Sequence, residues 1–222
     1  MKLPLSTKTL LATGLIGPPL FVIVFLVFGA KRPGYDPGHD FVSLFSLGDG
    51  GWMQMANFIV GGLLIGTFGG ALHRVMPSGA GSRWGPVLIE IAGLGLILAG
   101  IFSTDPAQGY PPGAPLGLPT NGTSMTANVH FLAAFLFFGG LILAAFVLAR
   151  RFRAAGESGW FGYSVASAIG VLVFYAAALV LAGGAEATAA TGGVAGWLQR
   201  AAIVSGLAWS FLLAWRYYRS EA

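Results

Sequence analysis

The chain has 222 residues, of which 55% are hydrophobic and only 9% charged, with a formal net charge of +4 and no cysteine. A soluble domain carries about 25% charged residues, so this surface has too few solvated groups to face water and must face lipid. The missing cysteines exclude disulfides, thiolate metal sites and a cysteine nucleophile. The basic residues are scattered along the chain rather than gathered on one face, which argues against a nucleic-acid partner.

Six apolar spans follow one another, over about residues 9–28, 52–72, 84–102, 127–149, 160–182 and 197–217. About 20 apolar residues let a helix cross a hydrocarbon core of about 30 Å. Backbone groups in lipid must bond within their own segment, so the spans are helices. The first span runs without a small-residue cleavage site into Lys31 and Arg32, so it reads as a retained helix rather than a cleaved signal. Pro18 and Pro19 lie near its middle and are expected to break or kink it, because proline removes an intrahelical donor.

The segment after the first span contains "GYDPGHDF" at 34–41. It places Tyr35, Asp36, His39 and Asp40 among turn-forming glycines and a proline, and Ser43, Ser46 and Asp49 follow. Asp-Pro-Gly supplies turn geometry, and Asx side chains bond nearby amides, so a rigid loop alone accounts for Asp36. The second span opens with Trp52 and carries Gln54 and Asn57 in its first turns. The third holds Glu90, about 9 Å along a helix from Trp84. Acids inside a span are costly, which leaves two readings: an ion pair with Arg83, Arg74 or His73, or a protonated, proton-coupling group. Beyond it lies "STDPAQGYPPGAPLGLPTNGTSM" at 103–125, with Asp105 in the same turn chemistry as Asp36. The fourth span opens with Asn128 and His130. Glycines at three- and four-residue spacing in the second and third spans fit close helix packing, with self-association as a second use.

Nine basic residues fall on one side of the spans (Lys2, Lys8, Arg74, Arg83, Arg150, Arg151, Arg153, Arg216, Arg219). Three fall on the other (Lys31, Arg32, Arg200). The positive-inside bias then puts both termini in the cytoplasm. Trp52, Trp84, Trp160 and Trp197 each open a span, as headgroup anchors do. The expected fold is an all-α membrane protein of one domain. It is a six-transmembrane-helix bundle with N- and C-termini cytoplasmic and two long outer loops forming a cap, in the cell membrane. A weak echo relates "GWMQMANFIVG" at 51–61 to "GWLQRAAIVSG" at 196–206; the sequence leaves open whether it is a true repeat.

The strings "RPGYDP" (32–37), "SLFSLGDGGWMQMANFIVGG" (43–62) and "FSTDPAQGYPPG" (102–113), with His130, resemble a bacterial and archaeal family of six-helix membrane proteins catalogued as domain of unknown function nine-nine-eight. The resemblance covers nearly the whole chain. It implies six helices and a cytoplasmic-membrane location, and it brings no established activity or functional residues. It also implies an acid in many members where this chain has Leu44, so an acid there is not needed here.

Three functional readings follow. In the first, a small amphiphilic or lipid-like molecule is bound, sensed or moved in an outward-facing pocket lined by Tyr35, Asp36, His39, Asp40, Gln54, Asn57, Asp105, Asn128 and His130, with membrane lipids as partners. In the second, His39, His130 and Asp105 form a membrane-embedded hydrolase or transferase, with or without a metal. No spacing matches a strong zinc motif, and no G-x-S-x-G elbow is present. In the third, the chain is an accessory subunit of a larger membrane complex, or a homo-oligomer, joined through glycine-rich helix faces. No residue pattern names a cofactor.

Overall fold

A computed structural model describes residues 5–117, 122–183 and 193–221. Its six long helices are α1 (Thr7–Gly29), α2 (Trp52–Val75), α3 (Trp84–Ile101), α4 (Met125–Ala154), α5 (Ser158–Gly183) and α6 (Ala195–Ser220), with a 3₁₀ turn at Val42–Ser46. All six are long and apolar enough to cross a membrane, and no strand occurs among the described residues. Several helices outrun their apolar stretches. α4 continues through Arg150, Arg151 and Arg153 because hydropathy marks the hydrocarbon, whereas helix bonding continues into the charged turn beyond it.

Each helix packs on its neighbours in the chain, and α6 packs back on α1, so the six form a closed ring. α4 and α6 also touch across the middle. Buried phenylalanines fill the interior, among them Phe21, Phe25, Phe58, Phe68, Phe137 and Phe138. With an even number of helices, the start of α1 and the end of α6 lie together, and Lys8 sits 5.0 Å over the Tyr218 ring. That end is closed by Arg216, which pairs with Glu157 at 2.8 Å and lies over both Phe152 and Trp160. Trp160 is thereby packed into this cluster, whereas Trp52, Trp84 and Trp197 are exposed. Higher in the bundle, the Trp209 indole donates to Ser164 Oγ at 3.0 Å, tying α6 to α5.

Glycine sets how closely the helices approach. A Cβ on Gly62 would lie 2.5 Å from Gly93 O, and one on Gly93 would lie 2.6 Å from Gly66 N, so α2 and α3 touch backbone to backbone. At the α3–α4 seam, Gly95 faces Ala133 O at 2.6 Å and Gly140 faces Leu88 O at 2.7 Å. Backbone atoms cannot rotate away as side chains can. These glycines are used inside the bundle.

Of the break or kink expected at Pro18–Pro19, the break does not occur: α1 runs unbroken from Thr7 to Gly29. Neighbouring helices can hold a segment that has lost internal bonds, and here they press directly on it. Gly14 admits Phe68 of α2 and Ala214 of α6, and Gly17 admits Leu64 of α2.

Gly93→Ala should destabilise the protein by about 1–3 kcal/mol, the usual range for overpacking. Gly139 has nothing within 4 Å of an added Cβ. Gly139→Ala should therefore be neutral or stabilising, by up to about 1 kcal/mol of helix propensity. Thermal unfolding of the two variants in the same detergent compares them.

Candidate functional site at the loop end of the bundle

The segments 30–51 and 102–117 meet at the end of the ring away from the start of α1 and the end of α6, and one buried cation organises them. Arg200 stands in the second turn of α6 and is 5% exposed. Its Nη1 donates to Pro37 O at 2.7 Å, Asp40 O at 2.9 Å and Gly196 O at 3.1 Å, and its Nη2 donates to the Tyr35 hydroxyl at 2.5 Å. The guanidinium also lies within 6 Å of the Phe25, Tyr35 and Trp197 rings. Among the described residues no carboxylate comes within ion-pair distance of it. A buried charge is costly unless its donors are satisfied, and here neutral oxygens satisfy them.

The neighbours extend this tie. Gly196 passes beneath the loop, where a Cβ would lie 2.5 Å from Pro37 O and 2.7 Å from Asp40 O. Trp197 N donates to Gly38 O, and Gln199 Oε1 accepts from Val42 N at 2.8 Å. From the other long segment, Gln108 Nε2 donates to His39 O at 2.8 Å, and its Oε1 accepts from Phe41 N at 3.2 Å. Gln108 sits at φ +54°, a left-handed conformation uncommon for a side-chain-bearing residue; its two cross-loop bonds hold it there. Arg32 donates to the Tyr110 hydroxyl at 2.7 Å and also bonds Leu47 O. Tyr35 stacks on Phe45 at 3.8 Å and meets the Tyr110 ring edge-on.

Burial raises the Tyr35 phenol well above its ordinary pKa, even against the pull of Arg200. It therefore keeps its proton, which Asp40 O and Phe41 O accept at 3.0 Å each. Burial also raises the Asp40 carboxyl, opposed by hydrogen bonds from His39 and the Asp36 amide. Those bonds measure 2.8 Å to His39 Nδ1 and 2.9 Å to Asp36 N.

The predicted residues thus divide. Tyr35, Asp36, His39 and Asp40 are close together, but they bond one another and the backbone: Asp36 Oδ1 accepts from Gly38 N at 2.8 Å in an Asx turn. Asp105 lies elsewhere, accepting from Ser124 N at 2.7 Å and Ser124 Oγ at 2.6 Å. Ser124 in turn caps α4 by accepting from Ala127 N. Asn128 is exposed and accepts from Thr123. Asn57 is buried and donates to Phe21 O at 3.1 Å and to Gln54 Oε1 at 3.3 Å. The Gln54 amide nitrogen is buried with no partner among the described residues. Glu90 is far from all of these, half-exposed between α2 and α3, with His73 Nε2 at 3.4 Å; of its three candidate partners this is the one in contact.

His130 donates from Nδ1 to Phe102 O at 2.7 Å. A carbonyl only accepts, so in the neutral ring Nε2 is left with the lone pair. The hydrolase reading requires His39, His130 and Asp105 to work as one unit, and each is bonded to a different group. Among the described residues no three His, Asp or Glu side chains come together as a metal site would need.

Beneath Phe41, Val42 and Ser43 lies a cavity of about 50 Å³. All six helices line it, with Phe21 of α1, Phe58 of α2, Leu96 of α3, Phe137 of α4, Tyr175 of α5 and Ile203 of α6 among its walls. One water needs roughly 10–15 Å³ by the same measure, so this is a narrow slot rather than a chamber. Its few polar groups, Ser43, His130 and Gln199, lie in the roof and in the helix turns nearest the loops; the deeper walls are aliphatic and aromatic apart from the Tyr175 hydroxyl. Of the predicted pocket residues, only His130 lines it. Gln199, Arg200 and Gln108 were not among them. Arg200 had a signal, an ionisable side chain four residues into an apolar span, and Gln199 repeats the offset of Gln54. Gln108 had none.

Six membrane-crossing helices, two interlocked segments at one end and an apolar slot beneath them define a multi-pass membrane protein of the helical-bundle class. Residues 15–216 match the model of a family described as "Protein of unknown function (DUF998)", and the chain belongs to that family. No curated protein and no solved structure matches it significantly.

Arg200→Met should cost about 3 kcal/mol or more, since hydrogen bonds from a charged donor contribute about 1.5–3 kcal/mol each and their buried acceptors would be stranded. Limited proteolysis should then cut within residues 30–51, where the unaltered protein resists. Ser124→Ala removes a helix cap worth about 1 kcal/mol and should lower thermal stability while leaving that resistance intact.

Proposed function

We propose that the protein binds a small amphiphile of the bilayer in the slot beneath residues 41–43. The polar tip lies toward the loops and the first carbons of the apolar part among Phe58, Phe137 and Phe138. The observation that carries this reading is the gradient of the walls: Ser43, Gln199 and His130 stand at the loop end, with aromatic and aliphatic side chains below, the Tyr175 hydroxyl excepted. Such a gradient matches a molecule with one wet end and one oily end, and sites between bundle helices commonly combine apolar walls with a few polar groups. A soluble polar ligand would leave most of these walls unsatisfied.

In this reading the loop segments form an ordered roof on the outer side, and both termini face the cytoplasm. The placement of Lys8, Arg74, Arg83, Arg150, Arg151 and Arg153 at the opposite end supports it, by the positive-inside bias. Closing the slot with side-chain and loop movement would suit a binding or sensing protein. Moving the ligand across the bilayer would need a second opening at the basic end, which the Arg216–Phe152–Trp160 cluster fills.

Native mass spectrometry of the gently solubilised protein should show an adduct in the mass range of a single-chain amphiphile. Ala133 is fully buried and lines the slot. Ala133→Leu should abolish the adduct while the protein stays folded by thermal unfolding. An adduct unchanged in that variant would place the ligand elsewhere.

A further inference from the structure

The walls of the slot are not equally covered. Phe21, Phe58, Leu96, Ala99, Gln199 and Ile203, from α1, α2, α3 and α6, are all buried. On α4 and α5, Phe131, Ala134, Tyr175 and Leu179 are only partly buried. The one other wall residue that is not fully covered is Ser43 in the roof. Partial exposure therefore falls along the seam between α4 and α5.

That seam has a limited height. Its lower edge is the Phe138–Tyr175 stack, with centroids 3.8 Å apart, and further down Phe152 meets Trp160 at 5.3 Å. From Phe131 to Phe138 the helix rises about 10 Å. The surface beside the gap is apolar: Leu132, Phe135, Leu172 and Val180 are exposed by half or more. The remaining seams differ. α2–α3 and α3–α4 are closed by glycine contacts to backbone, Gly62 and Gly93 in the first and Gly95 and Gly140 in the second. Access along the bundle axis would mean breaking the Arg200, Gln199 and Gln108 bonds that hold the roof. Access from the side needs only rotation of Phe131, Tyr175 and Leu179.

We infer that the slot is entered sideways from the bilayer, through a portal between α4 and α5, by the hydroxyl end of a single-chain amphiphile, which reaches Ser43, His130 and Gln199 while most of its tail stays in the bilayer. The inference rests on the binding reading above and adds the route and the ligand class. A second acyl chain would not pass a gap bounded by one aromatic pair, and a charged head would have no polar path across Phe135 and Leu172.

The test uses the full-length protein in phosphatidylcholine vesicles containing a hexadecanol that carries its diazirine beside the hydroxyl end, the part small enough to enter the slot, with irradiation and peptide mapping. In the unaltered protein, label should appear on the inner residues Phe58, Phe137 and Ile203, and excess untagged hexadecanol should remove it. Ala134→Trp and Leu179→Trp each place a bulky ring on one side of the portal. Both should lose the inner label while keeping label on the lipid-facing Phe135 and Val180. Thermal unfolding shows that each variant is folded, and either one suffices if the other is not. Inner label persisting in a folded Trp variant overturns the portal and leaves the binding reading standing. No competable inner label in the unaltered protein overturns the binding reading and the portal with it.

Discussion

Everything at the loop end hangs on a cation that has left water without meeting an anion. Arg200 is held by the carbonyls of Pro37, Asp40 and Gly196 and by the Tyr35 hydroxyl. A guanidinium presents its donors in a fixed planar fork, so the loop must bring its oxygens to set positions and cannot drift. Residues 35–42 are thereby positioned by α6, the least hydropathic of the six helices and the most buried. A carboxylate partner would have fixed one point. Spreading the charge over backbone oxygens fixes a whole turn.

The ring of helices supplies the other half of the architecture. Backbone contacts through Gly62, Gly93, Gly95 and Gly140 draw α2, α3 and α4 into a tight wall. α5 has less of its surface covered than any other span. A closed ring of six with one tight side and one loose side leaves room near its axis, and Phe21, Phe58, Phe137 and Phe138 fill most of it. The residual slot is where they stop short of the roof. Gln199 and His130 line it because both residues stand about one turn below the helix starts, at the same depth as the roof they help support.

The acidic residues turn out to be builders of the loops. Asp36 closes an Asx turn, Asp105 braces the Ser124 cap of α4, and Asp40 binds its neighbours His39 and Asp36. Each satisfies backbone or side-chain donors that would otherwise stand unpaired near an apolar bundle. This is why acid and imidazole groups are plentiful here while no three of them converge among the described residues. The two related strings at 51–61 and 196–206 do the same local job. Each begins with a glycine under a loop carbonyl, turns its tryptophan outward and buries its glutamine.

The six helices were legible in the sequence because burial in lipid demands a long apolar run and internal backbone bonding, and both are local properties. Trp52 and Trp84 even marked the first residues of α2 and α3. The turn chemistry of Asp36 and Asp105 was legible for the same reason, since an Asx side chain reaches only nearby amides. The behaviour of Pro18–Pro19 was not, because the packing that keeps α1 intact comes from Phe68, Leu64 and Ala214 on other helices. Nor was the slot: its walls are drawn from all six helices, so its position depends on the order in which the ring closes. Arg200 and Gln108 acquired their roles from oxygens 160 and 69 positions away. Composition and periodicity carry what a residue does to its own segment; which distant carbonyl it meets is decided only when the segments pack.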